Sequence, residues 1–153
     1  MKQLVNGMKI TGTREFVDRT RAALELLHEC PTYQIVRPFL RCICELPFSG
    51  LVANWGRPFF RVGERTWRAP LEWYASAIVH DAGHAKLFFQ NRRRLLWIDF
   101  TSRETWTGKK AERYCLRLQL DALRELGADE NMQEYVKTLW KNPKYQLIAE
   151  RTW

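Results

Sequence analysis

The stretch from Pro70 to Gln90 constrains this chain most. Pro70 suits a first helical position, and the residues after it read as one long helix ending near Gln90. Two of the chain's 3 histidines, His80 and His84, stand inside that helix one turn apart. This spacing puts both imidazoles on one face, about 5–6 Å apart at Cβ, so two ring nitrogens can meet one ion at about 2.0–2.1 Å. Trp73, Ala77, Leu87 and Phe88 lie on or beside the same face, so the rings project into apolar surroundings. Unpaired imidazoles are costly there, and they need either a metal or hydrogen-bond partners.

Around this helix the chain reads as mainly helical with a small sheet, an α+β fold. A first helix is expected from Thr13, a possible N-cap, to His28, where Pro31 ends it. A second is expected over Tyr33–Leu46, with Ile35, Val36, Phe39, Leu40 and Ile43 at helical spacing and Pro38 kinking its first turns. Between Ser49 and Arg68 the short apolar runs Leu51-Val52-Ala53 and Phe59-Phe60-Arg61-Val62, punctuated by Gly and Pro, predict a small antiparallel sheet. After the long helix, Leu95–Ile98 reads as a strand or a buried loop, Gly108–Gly127 as a helix stopped by glycine, and Glu130–Trp140 as a last amphipathic helix.

A chain of 153 residues with 46% hydrophobic content is expected to form a single domain over 1–153. Nothing at its start has the layout of a secretory leader, and no segment approaches the roughly 20 apolar residues of a membrane span, so the expectation is a cytoplasmic protein with no membrane partner. The 4 cysteines, Cys30, Cys42, Cys44 and Cys115, lack the two-residue gap of zinc knuckles and redox motifs. On the expected second helix Cys42 and Cys44 would point about 200° apart and read as small core residues. The net charge of +8 admits nucleic acid as a partner.

His80-Asp81-Ala82-Gly83-His84 resembles the His-Glu-x-x-His helix of zinc metallopeptidases, the zincins, with Asp81 in the place of the glutamate that acts as general base. The resemblance covers one helix and one downstream acidic position. It implies a minimal zincin-like domain that binds Zn2+ and acts on a protein or peptide substrate, with Asp81 accepting a proton. Asp81 is one methylene shorter than the family's glutamate. A catalytic zinc of this class takes three protein ligands, and no histidine follows His84.

Glu112 is the best third ligand, as in the Glu-zincins. It begins a helix on which Cys115, Leu116, Gln119, Leu123 and Leu126 follow at apolar-stripe spacing, so its carboxylate heads the stripe and points inward. A buried carboxylate needs a partner or a metal. The bland alternative is an acidic residue favouring the helix dipole. Cys115 takes the place of the small residue found three positions on in that family. Asp121, about 180° around the helix, cannot share a site with Glu112. Asp99 is the weaker alternative ligand. Tyr114, Tyr74 and His28 are available as oxyanion donors, and none is assigned.

Two other readings remain open. His80-Asp81 also resembles the dyad of HD-type metal-dependent phosphohydrolases, which further needs an upstream histidine, only His28, and a downstream aspartate, Asp121 or Asp99. The third reading is a non-enzymatic basic module binding nucleic acid or protein, using Arg92, Arg93, Arg94, Lys109 and Lys110 with exposed tryptophans such as Trp106.

Overall fold

The computed structural model describes residues 1–53, 58–91, 93–95, 98–100 and 103–141, the short stretches 93–95 and 98–100 by backbone alone. It begins with a hairpin: β1 (Lys2–Val5) and β2 (Met8–Thr11) pair antiparallel around Asn6-Gly7, both at positive φ, as a tight two-residue hairpin turn requires. Thr13 then caps α1 (Arg14–Leu27) as expected, its side chain accepting the Phe16 N–H at 3.3 Å.

The expected second helix divides. α2 (Tyr33–Phe39) stops after Pro38, Leu40 turns to extended backbone, and Cys42–Glu45 forms strand β3. Tertiary pairing decides this segment. Ile43 is fully buried between Ile10 of β2 and Phe60 of β5 (Phe59–Val62), its register partners on either side. β4 (Gly50–Val52) closes the sheet, whose order is β1-β2-β3-β5-β4. β2–β3 and β3–β5 are parallel, so the sheet is mixed rather than antiparallel, and it draws in the first eleven residues, where no strand was expected. The parallel step from β2 to β3 is made possible by the α1–α2 crossover between them.

One face of the sheet carries Ile10, Ile43, Phe60 and Val62 into the main core, against Phe16, Leu24 and Leu27 of α1. The same core takes Tyr74, Ile78 and Val79 from α4 (Leu71–Gln90). Burying each such side chain contributes about 1.5–3 kcal/mol. On the other face stand Cys42 and Cys44, both half-buried, their Sγ atoms 3.4 Å apart. On a strand these positions share a side, which replaces the helical expectation that separated them.

α3 (Glu64–Trp67) leads to Pro70, which is the cap of α4 rather than its first residue. Arg19 of α1 donates to the Trp67 and Ala69 carbonyls and so fixes where α4 begins. α4 is buried nearly all round: Ser76, Ile78, Val79, Asp81, Ala82, Gly83, His84 and Ala85 are all buried. It is the central helix of the fold. A hairpin of β6 (Arg93–Leu95) and β7 (Ile98–Phe100) and the short α5 (Arg103–Thr107) follow. α6 (Lys109–Glu125) is capped by Gly108 and ended by Gly127 at φ 63°, with the Ala128 N–H reaching back to the Leu123 carbonyl at 2.9 Å. α7 (Glu130–Lys141) packs on α6 through Leu116, Leu123 and Val136. The fold is α+β with mainly helical content, as the pattern of the sequence predicts. Among the described residues no helix is long and apolar enough to cross a membrane.

Candidate metal centre

α4 and α6 lie against each other closely enough that a side chain at Gly83 would collide. An added Cβ would stand 2.9 Å from Leu118 Cδ1 and 3.1 Å from Cys115 Sγ. This approach brings the His80–His84 face of α4 to the first turn of α6, where Glu112 projects inward, only 8% exposed. His80 Nε2 is 3.5 Å from Glu112 Oε2, His84 Nε2 is 3.4 Å from Glu112 Oε1, and the two Nε2 atoms are 3.1 Å apart. His80, His84 and Glu112 are the one group of three or more His, Cys, Asp or Glu side chains among the described residues placed to hold a metal ion together.

The protonation pattern follows from the hydrogen bonds. His84 Nδ1 lies 2.6 Å from the Trp106 carbonyl oxygen, which can only accept, so Nδ1 carries hydrogen and donates. In the neutral ring the Nε2 lone pair then faces the Glu112 carboxylate and His80 Nε2. Two acceptors, the His84 Nε2 lone pair and the Glu112 carboxylate, thus meet at His80 Nε2 in a buried place, and either a hydrogen on that nitrogen or a cation among the three relieves their repulsion. The two nitrogens face different oxygens of the one carboxylate, and taking one atom from each side chain the three lie within 4.8 Å of one another, close enough to share an ion. The Trp106 carbonyl supplies the backbone acceptor that ligating histidines usually have on their second nitrogen. His80 Nδ1 is buried and has no such partner among the described residues.

The electrostatics agree. Burial pushes the Glu112 carboxyl up, but hydrogen bonding and charge from His80 and His84 outweigh it and hold the group well below the usual carboxylate range. Burial pulls His84 down, while Cys115 and Glu112 drive it well above the ordinary histidine value. Burial also raises the Cys115 thiol and keeps it neutral near pH 7, so the Glu112 carboxylate is the charge that holds His84 up.

Asp81, buried next to His80 in the chain, lines the same cavity of about 520 Å³ as the three converging side chains. The other sequence candidates lie elsewhere. His28 is exposed at the end of α1 beside Glu29, and Asp121 pairs with Arg124 on α6, so neither His28 nor Asp121, two of the extra ligands of the HD-type reading, is brought to His80 and Asp81. The Asp99 side chain, and those of Arg92, Arg93 and Arg94, lie outside the described residues. Of the residues available as oxyanion donors, none of them assigned, Tyr74 bonds Thr20 in the core at 2.7 Å, Tyr114 accepts from Lys86 at 3.0 Å, and neither they nor His28 line the cavity. Arg61 and Arg103 do line it, and the sequence pattern did not single them out.

Trp106, expected to be exposed for stacking, is buried at 9% and packs edge-on against Phe88. Its carbonyl is the missed functional group, since a backbone acceptor leaves no mark in residue type. Gln119 was missed as a cavity residue for another reason: it reads as one more position on the buried stripe of α6. No protein-family model matches this chain, and no characterised protein or solved structure is similar to it.

Proposed function

We propose that this protein is a zinc-dependent hydrolase acting on peptides, with the metal held by His80, His84 and Glu112 and with Asp81 as general base. The observation that carries the reading is the convergence of two imidazole nitrogens and a carboxylate, one atom of each within 4.8 Å of the others, in a buried place that opens onto a cavity lined by a further carboxylate. Three protein ligands leave a fourth position free, the arrangement of a catalytic rather than a structural zinc. Bound there, the ion would supply Lewis acidity, acidifying water and polarising a carbonyl.

The chain's own residues supply the rest. The Trp106 carbonyl fixes the tautomer and ring plane of His84. Glu112 brings one negative charge, which offsets part of the charge of a dication held with the two imidazoles. Asp81 accepts the proton of the attacking water and passes it to the leaving amine, a role for which a carboxylate in a partly dry cavity is suited. A peptide fits the cavity wall as well: Gly50 and Leu51 of β4 line it, and β4 is an edge strand, paired on one side only among the described strands. Such an edge offers main-chain hydrogen bonds to an extended peptide.

The test is metal analysis of the purified protein together with hydrolysis of a peptide mixture, before and after chelation. One zinc per chain and chelator-sensitive cleavage are expected. A protein that binds no zinc, or that binds zinc and cleaves only phosphate esters, rejects the reading.

A further inference from the structure

Arg61 of β5 lines the cavity, and its Nε is buried with no hydrogen-bond partner among the described residues. Its neighbours across the sheet are Cys44 on β3 and Gly50 on β4, so neither flanking strand sets a carboxylate opposite it. Arg19 shows how this chain uses an arginine to build the fold: its guanidinium donates to the Trp67 and Ala69 carbonyls. At the same end of the β4–β5 ladder as Arg61, Ser49 and Thr66 line the cavity with hydroxyls 2.6 Å apart, and Ser49 Oγ also accepts the Gly63 N–H at 2.9 Å. The pair has two hydroxyl hydrogens and one mutual bond, so among the described residues one hydrogen is left to donate. This wall of the cavity offers donors and no carboxylate.

We infer that Arg61 receives a carboxylate of the substrate, either the peptide's C-terminus or an Asp or Glu side chain near the bond that is cut. The inference rests on the hydrolase reading above and names its substrate class: peptides with an anionic group close to the scissile bond. A guanidinium presents a planar fork of N–H donors that matches the two oxygens of a carboxylate, and pairing there removes the cost of leaving a buried donor unmade. The charge balance points the same way. In formal charge the cavity sets Arg61 and Arg103 against Asp81 and Glu112, so a bound dication leaves it positive by the full charge of the ion. An anionic group on the substrate offsets that surplus, and a neutral peptide does not. Arg103 is exposed, where water and salt screen it, whereas the Arg61 Nε is buried and a charged pair made there is screened less.

Two titrations test this, on wild type and on Arg61→Met, which keeps an apolar stem and removes the charge. The first uses the zinc-loaded protein and four peptide hydroxamates: one ending in a free carboxylate, its C-terminal amide, and two amides that differ only as Glu and Gln. In calorimetry the acid should bind about tenfold or more tightly than its neutral counterpart in at least one pair, and the gap should close in Arg61→Met with zinc content unchanged. A gap in the first pair names the terminus as the source, and a gap in the second names the side chain. The second titration uses the metal-free protein and the same acid and neutral peptides without the hydroxamate, where the same Arg61-dependent preference is expected at lower affinity. Arg61 gives up no partner on substitution, so Arg61→Met should melt no lower than wild type. Arg61→Lys, which keeps the charge without the fork, should narrow the gap and serves if the methionine variant does not fold. Equal binding of acid and neutral compound in both pairs, a gap that survives Arg61→Met, or a lowered melting temperature with the gap unchanged overturns the inference. An Arg61-dependent preference for acids with no cleavage of any peptide rejects the hydrolase reading and leaves the carboxylate site standing.

Discussion

Among the described residues two clusters of metal-loving side chains can be compared, and they are built differently. Cys42 and Cys44 stand side by side on the outer face of the sheet with 3.4 Å between their sulfurs, and His80, His84 and Glu112 meet between α4 and α6. Burial bears on both. At the sheet it wins: it pushes Cys42 up to about 12, helped by the Cys44 neighbour and opposed only by Lys9, so the thiol stays neutral and unreactive. Between the helices burial is overcome, because imidazole and carboxylate carry opposite charges when ionised and stabilise each other. The lesson is that ligand-type residues in proximity do not make a site. Convergence of unlike charges from separate elements does.

The comparison breaks most sharply if the helical cluster proves dispensable. His84→Ala or His80→Ala should abolish stoichiometric zinc binding, measured by metal analysis after gel filtration, and Glu112→Ala should weaken it by a few kcal/mol, about a hundredfold or more. Full zinc content in all three variants would remove the centre from consideration. Asp81→Asn should separate binding from chemistry: zinc retained, peptide hydrolysis reduced about 10²–10⁴-fold. If zinc is lost instead, Asp81 is a ligand and the HD-type reading gains.

Acidity sharpens the same contrast. In the metal-free protein the folded-state His84 lies well above its ordinary value, so zinc must displace a proton there near neutrality. Apparent zinc affinity should therefore keep rising with pH through about 7, by up to about tenfold per unit, where an unperturbed histidine would already have levelled off. Competition against a chromophoric chelator reads this, and a flat profile above about pH 7 contradicts it. Gly83→Ala should make the Leu118 and Cys115 side chains give way, a cost that the better helix propensity of alanine partly offsets, for a net loss of no more than about 1–2 kcal/mol in thermal or denaturant unfolding. The smallest effect is assigned to the sheet: Cys42→Ser with Cys44→Ser should leave zinc stoichiometry unchanged and stability within about 1–2 kcal/mol. Loss of zinc in that double variant would make the sheet pair the true site.

The centre was legible because its signals are local and periodic. His80 and His84 sit one turn apart, and Glu112 heads a stripe that continues through Cys115, Leu116 and Gln119, all buried. α6 was legible to its glycine ends for the same reason. The sheet was legible only where turn residues set off the apolar runs of β4 and β5. Ile43 falls at helical spacing from Ile35, Val36 and Phe39, and nothing near it in the chain reveals that Ile10 and Phe60 flank it in space. The β1–β2 hairpin did carry a local signal in Asn6-Gly7, overshadowed by strands of only four residues each. The fate of Trp106 was illegible, since its burial and its carbonyl's role are set by a histidine 22 residues earlier.

That hydrogen bond from His84 to Trp106 gives the centre a second meaning, as a clasp. An ion there would tie α4 to α6 directly and, through the imidazole, hold α5 to both, closing stretches of chain that the unfolded protein leaves open. Closure of loops of a few tens of residues by a cross-link is worth about 3–4 kcal/mol of chain entropy. Only the folded chain presents the three donors in one place, so metal and fold would become a single equilibrium, and the melting temperature would climb with free zinc concentration. A peptidase made this way would be switched off by metal starvation twice over, in its chemistry and in its persistence.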